Sequence, residues 1–147
     1  MLALKGFGKF LVAMFLLLGA SLAFSAPVPK ELTKQTDEQA IVGTWKMVSH
    51  SLNGETLTPQ QVEWWLEVNG KAIMNPGDTA IEYKLRTELS PKGLDWQFVG
   101  AKPHLGLYAL DGDTLKVVIT SGIGQERPKE LKPATGMIYG EFKRVSR

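Results

Sequence analysis

The sequence predicts an all-β fold, an eight-stranded antiparallel up-and-down barrel with one short helical turn. Three observations predict it. From Ile41 onward apolar and polar residues alternate with a period of two, the pattern of a strand with one buried and one wet face. Short turn signals cut the chain into segments of strand length, among them Asn53-Gly54, Asn69-Gly70 and Asp111-Gly112, dipeptides that accept positive φ in tight hairpins. Eight such segments in succession make a meander, and a meander of that length removes its exposed edges most simply by closing on itself, with a two-sheet sandwich as the structural runner-up.

The elements follow in chain order. Lys5 and Lys9 precede the apolar run from Phe10 to Ala20, and the small residues Ser21, Ala23, Ser25 and Ala26 come after it. The run is short for a bilayer span, and the layout is that of a secretory signal peptide over residues 1–26, cleaved after Ala23, Ser25 or Ala26, the alternative being an uncleaved N-terminal anchor. No Cys follows, which excludes a lipid anchor at that site. Residues 27–40 read as a linker and lead-in, in which Thr36 and Gln39 have the spacing of a capping box for one helical turn.

The barrel domain is expected over residues 41–147. Its first strand spans Thr44–Ser51. Thr58, Pro59 and Gln61 suit the N-cap, N1 and N3 positions of a single helical turn after it. Trp64–Val68 and Lys71–Met74 come next. Thr79–Leu89 holds the clearest alternation, with Ile81, Tyr83, Leu85, Thr87 and Leu89 on one face and Glu82, Lys84, Arg86 and Glu88 on the other. Leu94–Val99, Leu105–Leu110, Thr114–Thr120 and Met137–Val145 complete the eight. Ser121–Thr135, with Gly122, Gly124, Pro128 and Pro133, is the longest loop.

Charge and composition exclude several function classes. Of 17 Lys and Arg, two lie in the export segment, and the remaining 15 balance 15 Asp and Glu. A mature chain without a basic excess is a poor partner for nucleic acid or for an anionic membrane. With no Cys, the chain has neither disulfide staple nor thiol nucleophile. His50 and His104 are far apart in sequence and show no metal-ligand spacing. On simple alternation His50 shares a face with Lys46 and Val48, away from Trp45, and faces water. No G-x-S-x-G elbow is present, and Asp111 and Asp113 flank Gly112 as turn residues. No catalytic residue, metal or cofactor is expected.

Gly43-Thr44-Trp45 at the head of the first strand resembles the Gly-x-Trp signature of lipocalins and related calycins. In those proteins the Trp plugs the closed end of the barrel under a basic residue from the last strand. Here Arg144, on the same face as Phe142, is the matching residue. The resemblance thus implies a structural lid of Gly43, Trp45 and Arg144, with a cation–π contact of roughly 0.5–2 kcal/mol. The chain is also similar, almost from Ile41 to Arg147, to a family of short secreted lipocalin-like proteins abundant in Planctomycetes. Ile41–Ser49, Asn53-Gly54, Tyr83-Lys84-Leu85, Gly106–Lys116, Arg127-Pro128 and Phe142-Lys143-Arg144 carry that similarity. The family brings no established activity, so it implies no catalytic residues.

The remaining lead is aromatic content. The strands hold Trp45, Trp64, Trp65, Trp96, Tyr83, Phe98, Tyr108, Tyr139 and Phe142. Two functions follow as expectations. The first is an exported binding module, secreted or periplasmic, that holds a small apolar or amphipathic ligand in the barrel interior, with Tyr83, Leu85, Trp96, Phe98 and Leu107 as contacts. The second is a solid-core interaction or inhibitor protein that uses an outward Trp and the Ser121–Thr135 loop to contact another exported protein. Trp64 and Trp65 are adjacent, so one of them points outward.

Overall fold

The computed structural model describes residues 35–147, apart from 59–63 and 75–77. The expected export segment, most of the lead-in, and Pro59, Gln60 and Gln61 of the predicted helical turn lie outside the described residues. Within them the protein is antiparallel β-sheet with almost no helix. One short helix, α1 (Asp37–Ala40), precedes nine strands: β1 (Gly43–Leu52), β2 (Glu55–Leu57), β3 (Trp65–Val68), β4 (Ala72–Met74), β5 (Ile81–Arg86), β6 (Gly93–Phe98), β7 (His104–Asp111), β8 (Thr114–Thr120) and β9 (Met137–Ser146).

All eight expected strands are present. The ninth is β2, which folds back on the end of β1 through Asn53-Gly54. Both turn residues have positive φ, 54° and 88°, the conformation that hairpin turn requires. Capping of α1 follows the sequence expectation, with the Thr36 side chain on the Gln39 amide and the Gln39 side chain on the Thr36 amide.

From β3 to β9 each strand pairs with the next. β1 has β3 and β2 along one edge and β9 along the other, the latter in register from Thr44↔Ser146 to Leu52↔Ile138. The registers gather Gly43, Ser146, Thr114, Asp111 and Gly93 at one end of the sheet. Leu52, Ile138, Thr120, His104, Phe98 and Ile81 gather at the other.

Two departures from simple alternation have local causes. The β1–β9 register slips between Met47 and Ser49, leaving Val48 as the extra residue of a bulge. A bulge moves every later side chain to the opposite face. His50, expected in water, is therefore only 4% exposed, whereas Val48 is exposed. In β5 the alternation of the sequence runs on to Leu89, but the strand stops at Arg86. There the Leu89 amide donates to the Arg86 carbonyl at 3.2 Å and turns the chain.

Buried apolar side chains form two clusters on opposite faces of the sheet. The larger contains Trp45, Met47, Leu66, Leu85, Trp96, Tyr108, Leu115 and Phe142. The smaller contains Leu107, Val118 and Tyr139, with Leu131 and Met137 packed on it. Leu107, Val118 and Tyr139 are register partners across β7, β8 and β9, so they share a face, and the loop before β9 supplies the cover. This corrects the expectation for Leu107. Tyr108 takes the main-core face, and its neighbour Leu107 must point the other way.

Arg127 ties that loop down. It donates to the Leu94 carbonyl at 3.1 Å, the Gly106 carbonyl at 2.6 Å and the Asp95 carboxylate. Asp95 also accepts from Arg86 at 2.7 Å. Burial pushes the Asp95 carboxyl upward, but the hydrogen bonds and charges of Arg127 and Arg86 prevail and hold it below the usual carboxylate range.

Candidate functional site

The two ends of the sheet are built differently, and the difference locates the site. At the end holding Gly43, Trp45 is fully buried and its indole N–H donates to the Ile41 carbonyl at 2.9 Å. The Arg144 guanidinium carbon lies 4.0 Å from the centre of the Trp45 ring, a cation–π distance. The same guanidinium donates to the Val42 carbonyl at 2.7 Å, the Ala40 carbonyl at 2.5 Å and the Asp113 carboxylate at 3.0 Å.

Gly43 is needed here for two reasons. Its φ is +137°, and a Cβ would stand 2.4 Å from the Ser146 carbonyl oxygen and 2.9 Å from Arg144 Nη1. α1 adds a further closure. Asp37 accepts from both Lys92 and the Tyr108 hydroxyl at 2.6 Å. Burial, then the Asp37 carboxylate beside it, pushes the Tyr108 hydroxyl far above its ordinary pKa, so it stays a neutral donor. This end is filled and tied.

At the other end lies an open cavity of about 470 Å³. Trp64, Trp96 and Phe98 supply its aromatic wall, and Met74, Ile81, Ile119 and Ile138 its aliphatic one. A void of only about 40 Å³ shares Trp64, Met74, Trp96 and Ile119 with it and continues towards Met47, Leu66 and Phe142. The interior is thus packed around Trp45 and hollow around Phe98. That size and apolar lining suit a small organic molecule.

The polar groups of the mouth are few. Asp78, Thr79 and His104 line it. His104 Nδ1 lies 2.8 Å from the Thr120 carbonyl oxygen. A carbonyl only accepts, so Nδ1 is the donor in this hydrogen bond.

Of the residues expected to touch a ligand, Trp96 and Phe98 line the cavity, Phe98 half-exposed at its rim. Leu85 is buried in the core and Tyr83 packs against it. Neither lines the hollow, because the core side chains fill that part of the interior. Tyr83 borders another hollow, of about 490 Å³, where β4 and β5 share the single register pair Ala72↔Ile81. Glu82, Lys84, Arg86, Asp95 and Gln97 make its walls charged and polar, so it suits an apolar ligand less well. Leu107 lies in the other cluster.

Sequence reading missed Trp64, Ile119, Ile138 and His104 as lining residues. Alternation assigns a face but not a height, and all four sit at the open end. The Trp pair resolves as expected in one respect. Trp64 packs against the core, and Trp65 carries the Lys46 ammonium 5.2 Å from its ring centre.

Behind Trp64 stands His50, with ring centres 4.7 Å apart at 57°. Neither nitrogen of His50 nor the Ser51 hydroxyl has a hydrogen-bond partner among the described residues. Burial pushes the His50 imidazole pKa down. Among the described residues no group of three acidic or histidine side chains converges as a metal set.

Compared with known proteins, the chain matches no family model, no curated protein and no solved structure.

Proposed function

We propose that this protein is an exported, lipocalin-like binding module whose mature chain closes into an up-and-down barrel and holds a small apolar or amphipathic molecule, without catalysis. The observation that carries the reading is the cavity of about 470 Å³ at one end of the sheet, above a packed and tied opposite end. Barrel closure is supported by the β1–β9 ladder, which gives the first strand a partner on both edges. The lipocalin-like assignment is supported by Trp45 beneath Arg144 at the head of β1. Export rests on the layout of residues 1–26.

A solid-core interaction protein is the competing reading. Its outward aromatic, Trp65, is only half-exposed, and its long loop lies on the sheet through Arg127 and Leu131. Both features suit it less well than the cavity suits a ligand.

The test is occupancy. Protein purified from its native host should release a small molecule on solvent extraction, detected by mass spectrometry. Ile119→Trp, which fills the hollow from its wall, should abolish that retention while changing stability by less than about 1 kcal/mol. Retention by a folded Ile119→Trp variant would remove the cavity from the argument.

A further inference from the structure

Beside the hollow stands a buried group that packing alone does not account for. The His50 side chain is 4% exposed, and neither ring nitrogen has a hydrogen-bond partner among the described residues. A buried donor or acceptor without a partner is costly, and native structures keep few of them.

His50 lies on the interior side. The bulge at Val48 turns it inward. Its register partner Gly140 lines the void of about 40 Å³ that adjoins the hollow, and cross-strand partners share a face. Between His50 and the hollow stands Trp64, its ring centre 4.7 Å from that of the imidazole. Trp64 lines both the hollow and the void.

The chemistry that would satisfy His50 is narrow. Burial pushes its imidazole pKa down, so the ring is neutral at pH 7 and offers one N–H donor and one acceptor nitrogen. A hydroxyl can accept from the first or donate to the second. A hydrocarbon can do neither. A carboxylate would be buried against a neutral ring, and among the described residues no Lys or Arg lines the hollow or the void.

We infer, resting on the reading that the hollow binds a ligand, that this ligand is an uncharged alcohol. Its apolar body lies among Trp64, Trp96 and Ile119, and its hydroxyl hydrogen-bonds His50 after the Trp64 ring tilts aside. The bound hydroxyl supplies the partner that no described residue provides. No covalent step is involved.

The test uses protein expressed from the full-length sequence and two probes of one shape, benzyl alcohol and ethylbenzene, in which a methyl group replaces the hydroxyl. Affinities are measured at pH 7 by calorimetry, and the His50 ring nitrogens are followed by NMR on the wild type. Benzyl alcohol is expected to move those resonances, and ethylbenzene to move them far less. His50→Leu should weaken benzyl alcohol by about fivefold or more and leave ethylbenzene within about twofold. His50→Gln, which keeps a donor and an acceptor, should bind the alcohol more tightly than His50→Leu does.

Full alcohol affinity in a folded His50→Leu variant, His50 resonances that stay in place while the alcohol binds, or binding of ethylbenzene alone would overturn the inference and leave the ligand cavity standing. So would a molecule extracted from native protein that has no hydroxyl. Failure of both probes to bind, with nothing extracted from native protein, would overturn both.

Discussion

The two ends of the sheet use the same strands for opposite purposes. Around Trp45 the Arg144 guanidinium, the Asp37 carboxylate and the Trp45 indole N–H all have partners. Arg144 bonds two carbonyls and a carboxylate, Asp37 takes a lysine and a tyrosine, and Gly43 leaves room for the end of β9. Around Phe98 the side chains are large but stand apart, and His104 spends its Nδ1 on the Thr120 carbonyl. The difference teaches that close packing and open space are separated along the strand axis. Close packing and charge-assisted hydrogen bonds hold one end shut, which lets the other stay hollow without unravelling the sheet.

Substitutions can break that separation or sharpen it. The largest effect is expected at the filled end. Trp45→Ala should lower unfolding free energy by about 3–5 kcal/mol in chemical denaturation, because it opens a cavity in the core and removes the platform for Arg144. Next comes Arg144→Ala, at about 2–3 kcal/mol, since it strands the Ala40 and Val42 carbonyls and empties the space over the indole. Arg144→Lys should recover less than half of that loss, a point charge being a poor substitute for a planar fork. Variants of this end that remain folded should keep their ligand affinity. A large loss of affinity would show that the two ends are coupled.

A smaller effect is expected at the flank, where Arg127 straps the long loop over Leu107 and Val118. Asp95→Asn should cost about 1–2 kcal/mol at neutral pH. It should also change the acid response. The Asp95 pKa is lowered by folding, so its stabilising contribution is complete above the unfolded carboxylate value near 4 and is lost as pH falls through the folded value. Wild-type stability should therefore drop more steeply in acid than that of Asp95→Asn. Parallel pH profiles would count against the Arg127–Asp95–Arg86 arrangement.

The smallest effect is expected beside the cavity. His50→Leu should raise stability by about 1 kcal/mol, because it replaces a buried imidazole that has no hydrogen-bond partner among the described residues with an apolar side chain. Burial lowers the folded-state pKa of His50, so the unfolded chain takes up the proton first. The wild type is then at full stability above about pH 7 and weakens as pH falls through 6.5. The variant should lack that component, and denaturation midpoints at pH 8 and pH 5.5 would measure it.

Much of this was legible in the chain. The period of two from Ile41, with Asn-Gly and Asp-Gly punctuation, announced eight of the nine strands. β2 escaped because three residues, Glu55 to Leu57, are too few to show a period. Gly43, Trp45 and Arg144 could be singled out because their spacing and side-chain types are distinctive. The cavity was less legible. Trp96 and Phe98 were identifiable as strand aromatics, but Leu107 was assigned to the wrong face, since both Leu107 and Tyr108 are apolar enough to be buried. His50 was misplaced for a related reason, a one-residue bulge at Val48 that leaves no mark in composition.

By itself the sequence determined the strand succession, the hairpin turns, the capped turn at Thr36 and the residue types that meet at Trp45. Those are local properties, set by side-chain period and by which residues tolerate positive φ. Only the tertiary structure decided which face lies under the Arg127 strap, where the alternation slips, and how far the core fills before giving way to the hollow at Trp64 and Phe98. These depend on register between strands distant in sequence, and one residue of slip exchanges the two faces.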